Sequence, residues 1–171
     1  MLPTSAWSDL TLSLLGGAGT LSNANPVATS KPNLTLGVTV GWSLPWDLRG
    51  EVSWSRLSRT TSVSGVEYSE IVQPISLGVK RNLIWGLAVG ARSGLALSQV
   101  HYADAAFSDL NYTRYIVHLS PKLDWDMSMS PFWGLGAEVA YDWIFDRGQT
   151  SRLGTAMVFV RVGTLGPNLG F

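Results

Sequence analysis

Leu34-Thr35-Leu36-Gly37-Val38-Thr39-Val40-Gly41-Trp42-Ser43-Leu44 alternates without a slip. Apolar residues take every second position, and threonine, glycine or serine fill the others. That is the side-chain period of an extended strand with two unlike faces. Similar alternation recurs about eight times along the chain, and several of the segments carry formal charge opposite their apolar face, as at Arg92, His118 and Glu138. A soluble barrel turns its charges to water. The inverse arrangement, an apolar exterior around a charged interior, predicts a transmembrane β-barrel.

Composition agrees with that inversion. Charged residues make up 14% of the 171 positions and hydrophobic ones 46%, against about 25% charged in an average soluble domain. Twelve basic and twelve acidic residues cancel, so no charge excess draws the chain to nucleic acid. Cysteine is absent, which excludes disulfides, thiolate catalysis and cysteine metal sites. No apolar run approaches the roughly 20 residues of a spanning helix. The start, Met1-Leu2-Pro3-Thr4, has neither a basic nor an apolar leader segment, so any secretory signal is expected to have been removed or replaced by an initiator methionine.

Strands are expected near 6–16, 33–44, 48–57, 69–80, 84–98, 112–125, 132–144 and 153–165, in one domain spanning 1–171. Their connectors alternate: long at 17–32, 58–68 and 99–111, intermediate at 145–152, and short at 45–47, 81–83 and 126–131. No internal repeat is evident. An even number of strands puts both termini on the side of the tight turns. The expectation is an all-β, eight-stranded antiparallel up-and-down barrel with both termini periplasmic. Trp7, Trp42, Trp46, Trp85, Trp125 and Trp133 fall near the short turns or the N-terminus and are expected to form one interfacial girdle. Tyr115, Tyr141 and Trp143, with Tyr68, Tyr102 and Tyr112, mark the second.

The chain resembles the small eight-stranded outer-membrane barrels of Gram-negative bacteria, typified by outer-membrane proteins A and X. The likeness lies in the alternation, the loop rhythm, the aromatic girdles and the C-terminal Phe171. It implies residence in the bacterial outer membrane, contact with the bilayer and lipopolysaccharide, and recognition by the barrel-assembly machinery. Thr164, Gly166, Leu169 and Phe171 match the terminal assembly signal of such barrels, while Pro167 departs from it because proline cannot donate to a ladder.

Alternation assigns Arg49, Glu51, Lys80, Arg92, Arg114, His118, Lys122, Asp124, Glu138 and Asp142 to the lumen. Arg161 joins them, since a lipid-facing arginine costs roughly 2 to 4 kcal/mol at the bilayer midplane. Arg92, His118 and Glu138 are expected at one height, and Arg114 with Asp142 nearer the loops. An eight-stranded barrel is just wide enough to be filled by side chains, so these charges are expected to pair in a network that plugs it.

Three functional classes follow: a non-enzymatic envelope barrel serving structure, adhesion or an envelope assembly; a lipid-modifying enzyme; and a soluble binding barrel of the lipocalin type. The first is preferred, with no catalytic residue, cofactor or metal. The second rests on His118, Ser120 and Glu138, which resemble the His-x-Ser plus Glu of outer-membrane lipid A deacylases, although His118-Leu119-Ser120-Pro121 lacks that family's polar residues after the serine. The third requires an apolar calyx and a polar exterior. His101 with Asp104 and Asp109 is expected to be a solvated loop rather than a metal site, and the sequons at Asn33 and Asn111 carry no weight in a bacterial chain.

Overall fold

The computed structural model describes residues 10–22, 33–63, 66–130, 132–146 and 149–163. Eight strands run in chain order: β1 (Thr11–Ser22), β2 (Asn33–Ser43), β3 (Leu48–Val63), β4 (Val66–Asn82), β5 (Leu87–Tyr102), β6 (Tyr112–Ser128), β7 (Trp133–Asp146) and β8 (Gln149–Gly163). Each pairs antiparallel with its neighbour in sequence, and β8 closes on β1 from Thr11↔Gly163 to Ser22↔Arg152. Closure leaves no open sheet edge, which is the condition for strands to cross lipid.

β2 matches its expected span to one residue, β6 starts at Tyr112 as expected and runs on at the turn side to Ser128, and the remaining strands reach further toward the loops. β1 runs to Ser22 rather than 16. The expected loop over 58–68 is mostly ladder, with Val63 paired to Val66, and β7 and β8 meet at Asp146↔Gln149. Backbone pairing does not need an apolar face, so a ladder continues after the alternation has lost its contrast. Between β5 and β6 lies a short 3-10 helix (Ala105–Leu110), capped by the Asp104 carboxylate, which accepts the Ala106 N–H at 2.9 Å. Two prolines interrupt the ladders. Pairing skips Ser55 and Arg56 opposite Pro74, and Ser120 and Pro121 opposite Asp142 and Tyr141, because proline has no N–H to give.

Two of the tight turns share a pentapeptide pattern. Leu44-Pro45-Trp46-Asp47-Leu48 and Leu83-Ile84-Trp85-Gly86-Leu87 both close with the first leucine's N–H donating to the last leucine's carbonyl, at 2.9 and 2.7 Å. Both hold two central residues at positive φ: Trp46 at 62° and Asp47 at 59°, Trp85 at 55° and Gly86 at 76°. Gly86 is required there, since a Cβ would lie 2.1 Å from the Asp126 carbonyl oxygen that crosses it.

Leucine, valine and isoleucine form an exposed belt around the barrel, including Leu14, Leu34, Leu77, Leu95, Val117, Val139 and Val158, each more than half exposed. An apolar band of this extent is a lipid-facing surface. It also removes the lipocalin reading, whose exterior would be polar. Inside, the filling has two levels. Leu21, Leu57, Val72, Ala96, Ile116, Ile144 and Leu153 form a buried apolar layer toward the loops. The charged residues occupy most of the half nearer the turns, and Leu15, Met157 and Phe159 form a second, smaller apolar cluster on the β1–β8 wall.

Candidate functional site

The interior charges are brought together by strands whose intervening inner positions are small. On β4 and β5 the inward residues near the turns alternate between glycine and long polar side chains, Gly78 and Lys80, Gly90 and Arg92, while β6 sets Lys122 and Asp124 at successive inward positions. A Cβ on Gly78 would come within 3.0 Å of Arg92 and Glu51 side-chain atoms, and one on Gly90 within 2.6 Å of Lys80 Cβ. The glycines make the room in which the stems of Arg92 and Lys80 lie.

Glu138 on β7 is the hub. Its Oε1 accepts from Arg92 Nη1 at 2.9 Å and its Oε2 from Lys122 Nζ at 2.9 Å. Lys122 also lies 2.8 Å from Glu51 Oε1 and 3.2 Å from Asp124 Oδ2, and Lys80 reaches the same Asp124 oxygen at 2.5 Å. Three cations and three carboxylates thus form one neutral cluster (Arg92, Lys122, Lys80 with Glu138, Glu51, Asp124). Neutrality and mutual hydrogen bonding are what make buried charge tolerable. Nearer the turns, Arg161 faces inward, 3% exposed, and grips Asp126 with two nitrogens at 2.6 and 2.9 Å. Arg49 donates to Thr11 Oγ1 at 3.3 Å.

His118 does not join that cluster. Its ring spans the lumen between Ser76 and Asp142, with Nε2 3.0 Å from Ser76 Oγ and Nδ1 3.2 Å from Asp142 Oδ1. The expected Arg114–Asp142 level is therefore corrected. Asp142 turns toward His118, while Arg114 lies over the Tyr112 ring, 4.6 Å from its centroid. The His118, Ser120 and Glu138 grouping does not assemble either: Glu138 is held by Arg92 and Lys122, and Ser120 Oγ is buried without a partner among the described residues. Ser76, His118 and Asp142 do have the distances of a nucleophile, base and orienting acid. His118 is fully buried and Ser76 is 3% exposed, so neither side chain is open to solvent.

Sequence reasoning overlooked Arg59, Glu70 and Asp126. Arg59 on β3 holds Glu70 on β4 through Nε and Nη2 at 3.0 and 2.6 Å, and its Nη1 donates to the Leu21 carbonyl at 2.9 Å. The pair seals the loop side of the apolar layer. Arg59 was assigned to a loop and Asp126 to a turn, although the inward parity of β3 and β6 extends to both.

Among the aromatics, Trp42, Trp125 and Trp133 face outward near the turns, while Trp46 and Trp85 stand on the turn tips at 85% and 86% exposed. The Trp125 indole N–H donates to the Trp85 carbonyl at 3.2 Å. Trp42 lies across Gly50, which leaves no space for a Cβ there. Tyr115, Tyr141 and Trp143 face outward nearer the loops, the last two in edge contact at 5.7 Å. Tyr68 and Tyr102 instead meet in a tilted contact at the mouth of the barrel, where Tyr102 also meets Phe107, a correction to their girdle placement. Trp7 and the expected assembly signal Thr164, Gly166, Leu169 and Phe171 lie outside the described residues. No group of three histidine or acidic side chains fit to hold a metal occurs among the described residues.

No family model and no curated protein matches the chain. Solved structures do. Neisserial surface protein A superposes with a TM-score of 0.66 at 15% identity, covering 90% of this chain and 96% of that one. Ail, the attachment invasion locus protein of Yersinia pestis, gives 0.63 at 10% identity in its complex with the heparin analogue sucrose octasulfate, over 90% and 97% of the two chains. The outer membrane protein OprG of Pseudomonas aeruginosa gives 0.55 at 10% identity over 91% and 96%. The shared architecture, with the apolar belt and charged interior described above, is that of the small outer-membrane β-barrels.

Proposed function

We propose that the protein is a bacterial outer-membrane barrel without a through-pore and without enzymatic activity, presenting its loop-side hairpins for adhesion or for docking in an envelope assembly. The three tight turns and both termini face the periplasm, where the terminal signal is offered to the barrel-assembly machinery, and the belt sits in lipid among lipopolysaccharide. The observation that supports this reading is the two-level filling of the lumen: an ion-paired cluster beneath a cluster of buried apolar side chains, Leu21, Leu57, Val72, Ala96, Ile116, Ile144 and Leu153. Solute crossing the barrel would have to disrupt both.

Planar-bilayer recordings of the purified chain are expected to show no large stable conductance. Nanosiemens steps from the monomer would overturn the filled-lumen reading. The membrane assignment has its own test. The belt predicts that the protein stays monodisperse only in detergent or lipid and that boiled and unboiled samples migrate differently on denaturing gels. Monodispersity in plain buffer would refute it.

A further inference from the structure

Among the described residues six of the eight ladders run without interruption. The other two have gaps: Ser55 and Arg56 opposite Gln73 and Pro74 between β3 and β4, and Ser120 and Pro121 opposite Tyr141 and Asp142 between β6 and β7. Together the gaps bound β4, β5 and β6, whose own pairing is continuous from Tyr68↔Tyr102 to Asn82↔Ala88 and from Leu87↔Trp125 to Val100↔Tyr112. These three strands are also braced to one another. Ser93 Oγ donates to the His118 carbonyl at 2.8 Å, and Lys80 reaches from β4 across β5 to Asp124 on β6. A Cβ on Gly94 would lie 2.0 Å from the Ile75 carbonyl oxygen, so β4 and β5 approach as closely as glycine permits. A panel with intact ladders inside and broken ladders at both edges is weakest along those edges, because local opening follows lost backbone pairing.

The two edges are held differently. Ion pairs stand on either side of the β3–β4 gap, Arg59–Glu70 toward the loops and Lys122–Glu51 toward the turns. On the β6–β7 edge, Glu138 holds Arg92 and Lys122 toward the turns, and at the gap itself His118 Nδ1 lies 3.2 Å from Asp142 Oδ1. A neutral imidazole has one donor and one acceptor. With Nδ1–H donating to Asp142, Nε2 accepts from the Ser76 hydroxyl at 3.0 Å. Ser76 and His118 share one row of the panel through Gly94, so the serine fixes the ring that reaches out to β7. A side chain thus supplies a link at the level where the backbone has lost one.

We propose that β4, β5 and β6 form a hinged section of the barrel wall, with the β3–β4 gap as its hinge and the His118–Asp142 contact as the latch that closes its free edge on β7. Ser76 is a positioning residue for the latch. On release the panel parts from β7 at Ser120 and Pro121, while the β1–β8 seam, whose ladder is unbroken, stays closed.

The test is amide hydrogen exchange on the full chain in lipid nanodiscs, read by NMR. In the wild type, the amides of Ser55, Arg56 and Gln73 that are directed at the hinge gap should exchange faster than those of Leu14 and Val160 in the β1–β8 ladder. Equal protection would overturn the hinge. His118→Leu removes the latch and strands Asp142, and it is expected to speed exchange at the β6–β7 gap, read at Ser120, Tyr141 and Asp142, about tenfold or more with little change along β1–β8. His118→Gln, whose amide again offers a donor and an acceptor, should restore most of the protection. Uniform acceleration in every ladder, or a glutamine variant as fast as the leucine one, would overturn the latch. Should His118→Leu fail to fold, Ser76→Ala gives the milder form of the same result, a smaller acceleration confined to the β6–β7 gap, and its absence there would overturn the proposal equally.

Discussion

Glu138→Ala is expected to lower the unfolding free energy by about 3 to 5 kcal/mol, measured by urea titration of the barrel folded in lipid vesicles. Both oxygens of this carboxylate are committed, one to Arg92 and one to Lys122. Arg92 has no other ion-pair partner within 4 Å among the described residues, so the substitution leaves a guanidinium that is 4% exposed without its counter-ion. Lys122 retains Glu51 and Asp124. Replacing Arg92 by methionine in the same chain should return much of the loss, because removing both charges is far cheaper than stranding one. Ser120→Ala supplies the contrast: Ser120 Oγ has no partner to lose, so the change should be within about 1 kcal/mol of neutral. A Ser120-dependent loss of an acyl chain from lipid A, seen by mass spectrometry, would overturn the non-enzymatic reading. Equal destabilisation by both alanines would overturn the assignment of Glu138 as hub.

Leu57→Ala should cost about 2 to 5 kcal/mol by opening a cavity in the apolar layer. Leu57 is 1% exposed, and its Cδ1 reaches within 2.9 Å of where a Gly19 Cβ would stand, so the β1 wall already approaches as closely as a glycine permits. Little collapse is available to refill the space. The same variant should be the first to admit small transient openings in bilayer recordings, while the charged cluster below stays intact. A Leu57→Ala barrel as stable as wild type would mean that the layer is not a packed seal.

The alternation carried the fold a long way because most strands have unlike faces. Arg92, His118, Glu138 and Arg161 stand at inner positions by parity alone, and it is there that each is buried. Parity says nothing about reach. That His118 meets Ser76 across Gly94 and turns Asp142 away from Arg114 depends on side-chain lengths and on ladder offsets between strands. The apolar layer was hidden for another reason: at Ile116-Val117 and Ile144-Phe145 both faces are apolar, so the period of two disappears. Toward the loops the contrast fails in the opposite sense. Ser58 and Thr60 flank Arg59 with outer-face residues that are as polar as any loop, which is why β3 looked finished at 57.

The Arg59–Glu70 pair bears on how the barrel enters the membrane. Arg59 and Glu70 stand directly opposite each other in the β3–β4 ladder, eleven positions apart in the chain. They can meet as soon as that hairpin forms, long before β8 finds β1. With the turns left in the periplasm, as proposed, this hairpin must carry its loop end through the hydrocarbon, where a lone charge costs roughly 2.5 to 3.5 kcal/mol even on insertion scales. Paired locally, Arg59 and Glu70 would cross as a neutral pair. The cluster around Glu138 needs strands β3 to β7 to complete it, and it lies at the trailing end, so those charges need not traverse the bilayer core. With that orientation, the order in which these two sets of charges can find partners would match the direction of travel and give the chain a polarity of insertion.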